Sequence, residues 1–159
     1  MPQIINQAIE ATKFIANYAQ EKAIQQQVKR KSIFLSGHSA GSHLCAMILN
    51  SNWFNYQLED STRKLFKGVF HLSGIFDLTD LVKTSINDPL GLNETSAKAL
   101  SPMLAQEMNL ASPQQQQNEE FHLLVVVGEF DSPVFKEQGQ AFCDLVSFLL
   151  QQIMTIFVQ

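Results

Sequence analysis

At 159 residues, with 45% hydrophobic side chains and a formal net charge of −4, the chain has the size and composition of one globular domain. No apolar run reaches the roughly 18 residues of a membrane span, and no N-terminal segment has the charged start, apolar middle and small-residue cleavage site of a signal peptide. The basic cluster Lys29, Arg30 and Lys31 is too small a footprint for nucleic acid. The expectation is a cytoplasmic protein that handles a small molecule, with neither nucleic acid nor membrane as partner. Cys45 and Cys143 have no framework spacing and no metal-ligand neighbours, so both are expected in the core, with no metal and no cofactor.

In chain order, Ile5, Ala8, Ile9, Thr12, Ile15, Ala16 and Ala19 fall at helical spacing and predict an amphipathic helix from Ile4 to about Gln27. A short strand, Ile33 to Ser36, follows. It runs into Gly37-His38-Ser39-Ala40-Gly41, and the apolar pattern Leu44 to Leu49 beyond predicts a second helix. A G-x-S-x-G pentapeptide between strand and helix is a nucleophile elbow, a turn that lifts a serine hydroxyl off the end of a sheet. Both flanking glycines are expected to be needed where strand and helix pack closely. Gly68 to Ser73 and Phe121 to Val127 read as buried strands of a parallel sheet. Between them lies an irregular insert at about 77–120, broken by Asn87-Asp88-Pro89, Ser101-Pro102 and the run Gln114 to Gln117. Ser132-Pro133 reads as an N-cap and first helical residue, opening a helix with Gln138, Ala141, Phe142, Leu145, Val146 and Leu149 on one stripe. The alternation is α/β: a partial α/β-hydrolase fold occupying 1–150, mainly parallel sheet with flanking helices, and an atypical apolar tail at 151–159.

Ligands of such sheets bind at the carboxyl ends of the strands, where Ser39 and the Gly128 to Asp131 turn both fall. A serine needs a base to take its proton and a carboxylate to orient that base. Ser39 is the expected nucleophile and Asp131 the expected acid, with Asp77, after the second strand, as the alternative acid. The backbone N–H of Ala40 is one oxyanion donor. The base should follow Asp131, yet His38, His43, His71 and His122 all precede it. No His-Gly-Gly loop supplies a second oxyanion donor, and only one helix precedes the elbow strand. The chain reads as the middle of a larger enzyme, with an unpaired, hydrophobic strand edge that is expected to make it aggregate or form a homo-oligomer.

Ile33 to Leu44 resembles the elbow of animal kynurenine formamidases (arylformamidases). So do Leu72-Ser73-Gly74-Ile75-Phe76-Asp77-Leu78, Ser85-Ile86-Asn87-Asp88-Pro89-Leu90, Ala99-Leu100-Ser101-Pro102-Met103 and Val127-Gly128-Glu129-Phe130-Asp131-Ser132-Pro133. The resemblance runs from about Ile4 to Leu150. It implies hydrolysis of N-formyl-L-kynurenine to kynurenine and formate in tryptophan breakdown, with Ser39 as nucleophile and Asp131 as triad acid. Two other readings stay open: a catalytically inactive fragment or interaction isoform, and a carboxylesterase for small acyl groups, since an elbow does not select its acyl group.

Overall fold

The computed structural model describes residues 1–25, 32–104, 121–149 and 153–158. Four parallel strands lie in the order β1-β2-β3-β4: Ile33–His38, Phe66–Leu72, His122–Gly128 and Ile153–Val158. The expected strands are present, each shifted or extended by one to two residues. Within the apolar tail expected at 151–159, Ile153–Val158 forms a strand that pairs with β3 from Leu123 opposite Ile153 to Gly128 opposite Val158.

Helix α1 (Pro2–Gln25) buries Ile5, Thr12 and Ala16. Ile15, expected on that face, is exposed instead, because it falls one residue off the buried i, i+4 row. The expected helix end and the Lys29 to Lys31 cluster lie outside the described residues, as does Gln114 to Gln117. Helix α2 (Ala40–Leu49) packs on β1 and β2, and the four-residue α3 (Asp60–Arg63) leads into β2. The described part of the insert consists of short turns of helix, Asp80–Lys83, Ser85–Asn87 and α4 (Glu94–Ala99), the last closed by a capping box between Asn93 and Ser96. Helix α5 (Pro133–Leu149) starts at the proline as expected and buries Gly139, Phe142, Cys143 and Val146. Ala141 is exposed, so the buried stripe is narrower than its sequence pattern.

One face of the sheet carries the core. Val69, Leu123 and Val125 pack there with Ala16 of α1, Cys45, Ala46 and Leu49 of α2, and Phe142, Cys143 and Val146 of α5. Both cysteines are buried in this cluster, and burial raises the Cys45 thiol to about 11. The opposite face shows Phe34, half exposed and stacked on Phe70 at 5.6 Å between ring centroids. Period-2 alternation along the strands divides the two faces. Among the described residues no helix is long and apolar enough to cross a membrane.

Candidate active site

Ser39 joins β1 to α2 with φ 53° and ψ −116°, a conformation that is strained for any residue with a Cβ. Its N–H donates to the Leu72 carbonyl at 2.9 Å, and its carbonyl accepts from the His43 N–H at 3.2 Å. The side chain makes no capping bond, although it sits at the N-cap. A serine that merely caps would spend its hydroxyl on the helix; here the hydroxyl is left for other chemistry.

The elbow closes because of Gly37. A Cβ there would lie 2.2 Å from the Gly41 carbonyl carbon and 2.6 Å from the Ser42 nitrogen. At Gly41, by contrast, a Cβ would meet nothing within 4 Å, so only one of the two flanking glycines is required by packing. Gly37→Ala is expected to cost about 3 kcal/mol or more through overpacking. Gly41→Ala should be neutral or stabilising, because alanine favours helix by about 1 kcal/mol over glycine. Urea unfolding of the two variants checks the contrast; equal losses would contradict it.

Asp131 lies in the turn after β3. Its Oδ2 accepts from the Ser73 hydroxyl at 2.5 Å and from the Gly128 N–H at 2.8 Å. The Ser73 bond, then the Gly128 bond, holds the carboxyl below its ordinary range, and the charges of His38 and Lys136 act in the same direction. Ser39, Ser73 and Asp131 thus follow the ends of three adjacent strands, β1, β2 and β3. Ser73 was not singled out in the sequence; the signal present was a hydroxyl at a strand's carboxyl end, just before a glycine.

Asp77, the alternative acid, is committed to local structure. Its Oδ1 accepts from the Thr79 N–H at 2.8 Å and the Thr79 hydroxyl at 2.7 Å. Gln138 of α5 clamps the same stretch: its Oε1 accepts from the N–H groups of Phe76 and Asp77, and its Nε2 donates to the Asp77 carbonyl.

The histidines are placed as follows. His43 is buried, with Nε2 2.7 Å from the Leu100 carbonyl, and burial lowers its pKa against that bond. His71 is fully buried; its Nδ1 shares a 2.8 Å hydrogen bond with the Ser42 hydroxyl, and burial lowers its pKa to about 4. His122 opens β3, at the far end of that strand from Asp131. His38 closes β1, exposed, with its charge felt at Asp131. Among the described residues no imidazole of the four is hydrogen-bonded to the Ser39 hydroxyl. Ala40, the expected oxyanion donor, begins α2, where the first N–H groups of a helix have no intrahelical partner. No cluster of three or more His, Cys, Asp or Glu able to hold a metal occurs among the described residues. A small apolar cavity of about 80 Å³, lined by Ile75, Leu81, Val134, Phe135 and Gln138 among others, lies between the loop after β2 and the start of α5. The larger cleft, about 350 Å³ between α1 and Trp53, lies beyond the C-terminal end of α2, away from Ser39.

A parallel sheet with helices packed on it, a strained serine turn after β1 and the Asp131 turn after β3, both at the strands' carboxyl ends, has the α/β-hydrolase fold. The chain matches the BD-FAE family over residues 1–145 and belongs to it. It is similar to kynurenine formamidases of Salmo salar (37% identical over 120 residues, 75% of this chain and 37% of that one) and Drosophila melanogaster (31% over 125 residues, 76% and 39%). The chain therefore spans well under half the length of these curated relatives. Among solved structures it resembles a thermostable carboxylesterase from a metagenomic library (TM-score 0.55, 20% identity, covering 99% of this chain and 53% of that one). It also resembles an arylesterase (TM-score 0.56, 17% identity, covering 99% and 51%), and both are likenesses of fold.

Proposed function

We propose that the chain carries the nucleophile and acid of a kynurenine formamidase-type serine hydrolase, acting in the cytoplasm on N-formyl-L-kynurenine. The observation that carries the reading is Ser39: a strained serine with its hydroxyl unused by the helix it caps, on the rim where Asp131 is held ionised. In this reading Ser39 Oγ attacks the formyl carbon as a base takes its proton, and the carbonyl oxygen becomes an oxyanion facing the Ala40 N–H. Collapse breaks the C–N bond, the proton passes to the departing aryl amine, and kynurenine leaves. Water then attacks the formyl ester on Ser39, releasing formate and the free hydroxyl. The similarity to kynurenine formamidases supports the substrate.

The test is release of kynurenine, followed by absorbance, from the 159-residue chain and its Ser39→Ala variant. The expected result is slow hydrolysis above the buffer rate that Ser39→Ala removes; hydrolysis untouched by the substitution would overturn the reading. A rate equal to buffer would favour the second reading, a non-catalytic interaction protein, which the structural commitment of His43 and His71 supports. Ser39-dependent cleavage of 4-nitrophenyl acetate without cleavage of the formamide would favour the carboxylesterase reading. Within the proposal β1 lies at the edge of the described sheet, and copies of the chain can pair along it. Light scattering on the eluting protein reads that directly, a monomer ruling the pairing out.

A further inference from the structure

Ser73 and Ser39 are the only non-glycine residues at positive φ among the described residues, at 45° and 53°. They follow adjacent strands, and their anchors run in series across the rim. The Ser39 N–H donates to the Leu72 carbonyl, and the Ser73 N–H donates to the Val126 carbonyl at 2.7 Å. The residue after Ser73 is fixed too, since a Cβ on Gly74 would lie 2.3 Å from the Phe76 ring and 2.4 Å from the Ser42 hydroxyl. At such a backbone glycine would be unstrained, so a serine there implies a use for its hydroxyl.

We propose that Ser73 is a positioning residue: its hydroxyl, with the Gly128 N–H, occupies Oδ2 of Asp131 and leaves Oδ1 as the oxygen a catalytic base would use. A carboxylate on a turn can rotate about two side-chain bonds, and two donors converging on one oxygen stop that rotation. One donor comes from the carboxylate's own turn and the other from the neighbouring strand, 58 residues away in sequence. No hydrogen bond to Oδ1 occurs among the described residues. Because Ser73 donates from the strand that also holds the Ser39 N–H, the acid is registered to the nucleophile's strand pair. The inference deepens the proposed hydrolase reading and rests on it.

The experiment uses the full chain and three variants, Ser73→Ala, Ser73→Gly and Ser73→Thr. Ser73→Gly removes the hydroxyl while relieving the backbone, so loss of function in a well-folded Ser73→Gly protein is not a folding defect. The Asp131 carboxyl is titrated by NMR. Its midpoint is expected to rise in Ser73→Ala and Ser73→Gly and to stay low in Ser73→Thr, with the charges of His38 and Lys136 unchanged throughout. Ser39-dependent turnover of N-formyl-L-kynurenine is measured in parallel. It should fall about tenfold or more in kcat, with KM unchanged, when the hydrogen bond to the charged group is lost, and return with threonine. An unmoved Asp131 titration, or unmoved kcat in a reactive chain, overturns the proposal while sparing the hydrolase reading. A responsive Asp131 in a chain whose Ser39 is inert overturns the hydrolase reading, and the catalytic meaning of Ser73 with it.

Discussion

Acidifying the folded chain from pH 6.5 to 4 is expected to cost about 3 kcal/mol of stability through His71 alone. The ring sits below the elbow, opposite Gly37 in the β1–β2 register. It is set edge-on to Phe76 and Phe142, which stack on each other at 3.9 Å. Nδ1 is bonded to Ser42, and Nε2 has no hydrogen-bond partner among the described residues. A second proton would put a charge among aromatic rings, and that desolvation holds the folded pKa near 4 against an ordinary 6.5. Below pH 6.5 the unfolded chain binds this proton and the folded chain does not, so stability falls as pH falls and the loss is complete near pH 4. The groups in contact with the ring, Ser42, Phe76 and Phe142, do not titrate here. His43, also lowered by burial, adds in the same direction. Asp131, held below its ordinary range, loses its contribution only at still lower pH. Urea unfolding at intervals from pH 7 to 4.5 reads the slope, and His71→Gln, which does not titrate, should flatten it. A wild-type stability that stays level across that range would show that water or rearrangement solvates the charged ring.

The parts of this fold legible in the sequence are those written in short-range chemistry. Gly37 and Gly41 around Ser39 marked a strand-to-helix turn, and Ser132-Pro133 marked the start of α5 at the right residue. The apolar runs before Ser73 and Gly128 marked β2 and β3. The strand Ile153–Val158 was not legible, because a short apolar run with weak alternation carries no sign of its partner, and β4 exists only through its pairing with β3. Gly41 was over-read because sequence spacing does not say which side of a crossing needs the missing Cβ. The contacts that tune the site were invisible for a different reason: Ser73 to Asp131 and Ser42 to His71 join residues 58 and 29 apart. No local pattern distinguishes those hydroxyls from others at strand and helix ends. Asp77 illustrates the converse, a carboxylate at a strand's carboxyl end whose Oδ1 is taken up by Thr79 in the turn it begins and by the Ser101 hydroxyl.

The 159-residue chain is expected to turn over N-formyl-L-kynurenine on the order of 10⁴-fold more slowly, or worse, than the Salmo salar kynurenine formamidase measured beside it. Under the proposed reading, two groups that the described residues do not supply set the scale. One is the oxyanion donor opposite Ala40, where the loss of a single donor costs on the order of 10²- to 10³-fold. The other is the base, since His43 and His71 are buried in structural bonds and His122 opens β3 at the wrong end. The deficits do not simply add, because nucleophile, base and acid act as a unit. Free imidazole supplies the absent proton acceptor without altering the chain. It should raise the rate in proportion to its neutral form, and Ser39→Ala should abolish the gain. Asp131→Asn should reduce it, because the carboxylate that orients and stabilises the incoming imidazolium is gone. Turnover equal to that of the Salmo salar enzyme, insensitive to imidazole, would mean that one of the chain's own histidines is the base. His38 is then the residue to replace, being the one whose charge already reaches Asp131.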